Sequence, residues 1–160
     1  MSRRTLCKWC KIINHVISDS KDAVFDDLIY KWNTQAGLLT SKHFEIKQKC
    51  IALKRVSFLV FSGDIDQYDD KLDILLKKMT EGFKTNKKYN SLRIELFLLT
   101  RVLLLRLSPN TLTDALRKLW PHLLNELVSI FEDSQHSDVN LTFEAIKMIE
   151  LMSSLNIEDF

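Results

Sequence analysis

The stretch LFLLTRVLLLRLSPNTL, Leu96 to Leu112, is the most apolar part of this chain and the part that most narrows its fold. Such a run suits a membrane span, a leucine zipper or the buried centre of a helical domain. A span needs roughly 20 consecutive apolar residues, and an arginine at its middle costs at least about 2.5 kcal/mol. Here Arg101 and Arg106 interrupt the run and no apolar piece exceeds four residues. The span is excluded.

The zipper has a pattern in its favour, because Leu98, Leu105, Leu112 and Leu119 fall at every seventh position. Pro109 breaks it. Proline removes a backbone donor and clashes with the preceding turn in a helix interior, whereas Ser108 followed by Pro109 is a good start for a new helix. The sequence therefore predicts one helix ending near Leu107 and another beginning at Pro109. In the first, Leu92, Ile94, Leu96 to Leu99 and Val102 to Leu105 point in almost every direction. A helix apolar nearly all round is surrounded by other helices. Arg93, Glu95, Arg101 and Arg106 are expected where that helix reaches solvent or finds carboxylate partners.

The remaining sequence reads as helices with short polar breaks. Expected helices are Arg4 to Ile17, one carrying Val24 to Trp32, and Lys42 to Phe61. Gly37 is placed to end the second helix, Ser41 to cap the third and Gly63 to end it. A fourth helix is expected to start at Asp64 or Asp66 and to bury Tyr68, Leu72, Leu75, Leu76, Met79 and Phe83 at helical spacing. Pro121 marks a helix start or a kink, followed by a stripe of Leu123, Leu124, Leu127, Val128 and Phe131. The last helix, Leu141 to Leu155, is expected to face inward with Phe143, Ile146, Ile149, Met152 and Leu155. With only 3 glycines and 2 prolines, the chain is poor in the turns an all-β fold needs. The fold expected is all-α, an irregular, solenoid-like stack of about seven antiparallel helices forming a single domain over residues 1–160.

At 46% hydrophobic and 28% charged residues, the chain is not one that stays disordered. A net charge of +2 is too small to imply nucleic-acid binding. The basic N-terminus leads into no apolar run of signal-peptide length, so a cytosolic protein, or one peripheral on the cytosolic side of a membrane, is expected. An odd number of cysteines without a secretory signal argues against a disulfide framework.

Chemistry is sparsely signalled. Cys7 and Cys10 in CKWC have the spacing of a metal or redox pair, but a zinc site needs two more ligands, from His15, His43 or Cys50. The expected role of both cysteines is burial as small side chains. DIDQYDD lacks the sixth-position glycine and the twelfth-position glutamate of a calcium loop, and reads as an acid-rich helix start. No GxSxG, HExxH or phosphate-loop glycine pattern occurs. No enzyme activity and no cofactor are expected. The candidate contact for lipid or a partner is basic: Lys77, Lys78, Lys84, Lys87, Lys88 and Arg93 lie in and around one loop. Each basic residue close to an anionic membrane adds about 1 kcal/mol of attraction.

ALKRVSFLVFSGDIDQY, Ala52 to Tyr68, and LLTRVLLLRLSPNTL with the following LWPHLLNELVSIF resemble the C-terminal region of the Dopey family. That family has a Leu-Lys-Arg helix leading to an acidic DQY helix, then an RVLLLR helix ending at SP and an LWP helix. The segment TDALRK before Leu119 is longer than in the family pattern. The likeness is clearest over residues 52–131, and the chain is long enough for only a small part of a family member. The resemblance implies a non-catalytic helical module in endosome-to-Golgi vesicle-mediated protein transport and Golgi organisation. It also implies a cytoplasmic protein peripherally associated with Golgi and endosomal membranes. Its implied partners are a scaffold related to Arf exchange factors and a phospholipid flippase. The alternatives are a peripheral binder of anionic membranes through the lysine cluster and a cysteine-based metal or redox protein. The leucine-zipper character associated with this region of the family conflicts with Pro109.

Overall fold

The computed structural model describes residues 3–33, 41–85, 88–132 and 138–155. The leucine-rich segment forms α5 (Asn90–Arg106), and helices surround it as its composition requires. Leu92, Leu96, Phe97 and Leu99 are fully buried on it. The other helices are α1 (Arg3–Ile17), α2 (Lys21–Asn33), α3 (Lys42–Ser62), α4 (Leu72–Thr85), α6 (Pro109–Glu132) and α7 (Val139–Ser154). Helix α5 packs against α3, α4 and α7, α3 also carries α1 and α2, and α6 lies on α4 and α7. The expected irregular all-α stack is the architecture observed, with no strand among the described residues.

Local chemistry sets the helix ends. The Ser41 hydroxyl accepts the Phe44 N–H at 3.3 Å and caps α3. At its other end the Gly63 N–H returns to the carbonyls of Leu59 and Val60 at 3.2 and 3.3 Å. Gly63 allows a close approach: a Cβ there would lie 2.9 Å from Gln67 Oε1 and 3.0 Å from the Tyr68 ring. That approach lets Tyr68 stack on Phe25 of α2, ring centroids 5.6 Å apart. Gly37, expected to end α2, lies outside the described residues.

The fourth helix does not start at Asp64 or Asp66. Asp66 adopts a left-handed backbone, φ 58°, which stops a helical path, and α4 begins at Leu72 after a single 3-10 turn over Asp69–Lys71. Asp66 has another task. Its N–H donates to the Arg106 carbonyl at 3.0 Å, and its carboxylate accepts the Ser108 N–H at 2.9 Å. The break between α5 and α6 is therefore held from the far side by the exit of α3. Pro109 is the first residue of α6, as expected, so Leu98 and Leu105 lie on a different helix from the buried Leu112 and Leu119. No unbroken zipper exists.

Pro121 begins no new helix, because α6 runs through it as 24 residues. The proline sits on the exposed side, next to the exposed Arg117 whose carbonyl it leaves without a helical donor, so water can serve that carbonyl.

Helix α7 also departs from expectation. Its inward face is Leu141, Ala145 and Met148, while Phe143, Ile146 and Ile149 point outward at 58%, 48% and 42% exposure. This orientation lets Arg101 of α5 bind the Glu144 carboxylate and its backbone carbonyl, the latter at 3.2 Å. That contact fits the face on which Leu141, Ala145 and Met148 meet the core. The two CKWC cysteines likewise part company: Cys10 is buried, but Cys7 is exposed because α1 presents only one side to α3.

Candidate interaction surface

Large apolar side chains cluster on two outward regions. The first lies along α3. Phe58, half exposed, stands as a ridge between two hollows. One, of about 630 Å³, is walled by Ile13 and Ile17 of α1, Val24 and Leu28 of α2, and Leu59. The other, of about 510 Å³, is walled by Phe61, Leu98, Val102, Leu105 and Leu151. Lys54 borders both. The Ser57 hydroxyl at the second hollow is buried and has no hydrogen-bond partner among the described residues.

The second region joins α6 and α7. Trp120, Leu124, Val128 and Phe131 of α6 face Ile149 and Met152 of α7 across a hollow of about 630 Å³. Leu124, Val128 and Phe131 were expected in the same buried stripe as Leu123 and Leu127, yet each is exposed by more than 40%. Sequence reading missed both regions. The signal available was quantity, since these helices carry more apolar residues than one packed face can bury.

The residues of the basic cluster have different local surroundings. Lys77 and Lys84 are exposed and, seven residues apart, share a face of α4. Lys78 is half-buried, with Glu81 at 3.5 Å. Lys84 borders a small hollow with Phe83, His122, Asn125 and Glu126. Lys88 borders a different one, of about 680 Å³, with Lys42, His43, Lys47, Lys54 and Tyr89. There the Lys42 ammonium lies 5.9 Å from the centre of the Tyr89 ring. Arg93 is drawn into the protein by Glu126, and Lys87 lies outside the described residues.

Three of the four charged residues singled out on α5 find charged partners. Arg93 pairs with Glu126, Arg101 with Glu144, and Glu95 with Lys54 at 3.3 Å. Arg106 instead lies over the Phe61 ring at 4.9 Å and donates to the Phe61 carbonyl. Burial pushes the Glu95 carboxyl up, with Lys54 opposing, and leaves its Oε2 without a partner among the described residues. Burial also raises the Cys50 thiol, making it a poor nucleophile. Among the described residues no three His, Cys, Asp or Glu side chains are placed to hold an ion. Nor is any described helix long and apolar enough to cross a membrane.

Comparison with known proteins gives one consistent result. The family model described as DOP1 C-terminal matches residues 2–160. Protein DOP1B of Mus musculus is 34% identical over 134 residues, covering 81% of this chain and 5% of that protein. Protein DOP1B of Xenopus laevis is 35% identical over 127 residues, covering 79% of this chain and 5% of its own length. Protein pad-1 of Caenorhabditis elegans is 31% identical over 132 residues, covering 80% of this chain and again 5% of the relative. The chain thus spans about 5% of the length of the curated relatives it matches. No solved structure matches it.

Proposed function

Because this chain belongs to the DOP1, or Dopey, family and corresponds to its C-terminal region, we propose that it is a non-catalytic helical interaction module. Its place is endosome-to-Golgi vesicle transport and Golgi organisation, on the cytoplasmic side of those membranes. The observation that carries the reading is the quantity of large apolar surface held outward on packed helices, at Phe58, Leu105, Phe131, Phe143 and Ile146. Contiguous exposed apolar surface on a folded domain marks a place where another macromolecule sits. The partners to look for, from the family, are the Arf-exchange-factor-related scaffold and the phospholipid flippase.

The test is affinity capture of the tagged full chain from cells under mild salt, with the captured proteins identified. Golgi and endosomal trafficking components are the expected catch, and a catch without them ends the proposal.

A second reading has a specific observation in its favour: Lys77, Lys84 and Lys88 are all exposed. It makes the chain a peripheral binder of anionic membranes. Vesicles rich in phosphatidylserine should then carry the protein in flotation at low salt, and Lys84→Glu with Lys88→Glu should abolish it. Indifference to both changes removes this reading.

A further inference from the structure

We propose that the paired hollows beside Phe58 seat an acidic amphipathic helix of a partner protein. Its large apolar side chains enter the two hollows and its carboxylates meet Lys54 and Arg55. The inference rests on the interaction-module reading and names the partner class for one of that module's surfaces.

Shape comes first. The hollows, of about 630 and 510 Å³, have Phe58 and Lys54 in common in their walls. A single helix presents large side chains three, four and seven residues apart on one face, which matches two apolar depressions in a row. An extended peptide is a poorer fit. The walls are helices whose backbone groups bond within themselves, so an extended chain finds no backbone partners, whereas a helix brings its own.

Charge then selects the kind of helix. Arg55 borders the first hollow, is exposed, and makes no ion pair among the described residues. The Lys54 side chain remains 63% exposed although Glu95 lies 3.3 Å away. The acid on this rim, Asp27, is neutralised by Lys31 at 2.6 Å, and Arg101 is held by Glu144. The charge left facing an arriving partner is positive.

A display library of single-helix peptides, randomised on all faces, tests this against the intact protein. The expected winners carry two or more large apolar residues on one face and an excess of Asp and Glu. Their binding should weaken at least tenfold in Arg55→Glu and in Phe58→Asp, with the far-ultraviolet helix signal of the protein unchanged. Both positions are exposed on α3, and Arg55→Lys should restore binding. The proposal is overturned if no peptide is enriched, if the enriched set is neutral or basic, or if the winners ignore both changes. Displacement of the winners by phosphatidylserine vesicles but not by soluble acidic helices also overturns it, in favour of lipid. A failed selection beside a successful capture of trafficking components would remove this helix site and leave the interaction module standing; a successful selection beside a capture without them would leave a helix-binding module and remove its place in trafficking.

Discussion

Arg93 on α5 and Glu126 on α6 form an ion pair inside the protein, with side chains only 11% and 2% exposed. The guanidinium also donates to Asn90 Oδ1 at 3.1 Å, so the arginine is held at two points. Removing one member of a buried pair strands the other charge, which typically costs about 3–5 kcal/mol. Glu126→Ala or Arg93→Met should each lower stability by about that much in urea unfolding. The double change Arg93→Met with Glu126→Leu should recover most of it. Additive losses would show that the two charges do not depend on each other.

Tyr68 gives the chain an alkaline limit. Burial, assisted by the negative charge of Asp22, pushes its hydroxyl up to about 12, and the hydroxyl has no hydrogen-bond partner among the described residues. The folded state therefore keeps its proton while the unfolded chain loses it near 10. The stabilisation is complete below that pH and falls as pH rises through the folded value. Tyr68→Phe keeps the stack on Phe25. It should leave stability at pH 7 unchanged or raised and should lessen the decline between about pH 10 and 12, read as the difference between the two melting curves.

Glu95 behaves in the same sense at lower pH. Its raised carboxyl favours the neutral form in the folded state, so its contribution falls as pH rises from the ordinary carboxylate range through the folded value. Glu95→Gln should flatten that part of the stability profile. An unchanged slope would show that Lys54 compensates the charge fully.

The turning of α7 can be checked with two substitutions. Met148 is fully buried and Phe143 is 58% exposed. Met148→Ala should cost about 2–5 kcal/mol by chemical denaturation. Phe143→Ala, the larger truncation, should cost less than about 1 kcal/mol, as is usual for surface positions. The opposite order would put Phe143 in the core.

That contrast also shows how far the sequence could be read. Helix α4 was legible because Leu72, Leu75, Leu76, Met79 and Phe83 form a single apolar stripe, and all five are buried. Helix α7 has two candidate stripes. Residue size favours Phe143, Ile146 and Ile149, whereas packing on α5 and α6, together with the distant Arg101–Glu144 contact, goes with the other. In the same way the break at Ser108–Pro109 is local chemistry, while the rotation of α6 that leaves Leu124 and Val128 outward depends on α4 and α7. The candidate surface was the least visible part, since exposure of an apolar residue is decided by its neighbours. The lysines are joined by a loop in sequence, and Lys84 and Lys88 border different hollows.

Asp66 has a consequence for how this region tolerates change. Its amide and carboxylate reach Arg106 and Ser108, residues some forty positions downstream, so the spacing between Gly63 and Asp66 sets the angle at a corner far away in the chain. Inserting or deleting one residue in that four-residue stretch would carry the latch out of register and let the corner swing. An edit that looks confined to a surface loop would then act as a mutation of the leucine-rich helices themselves.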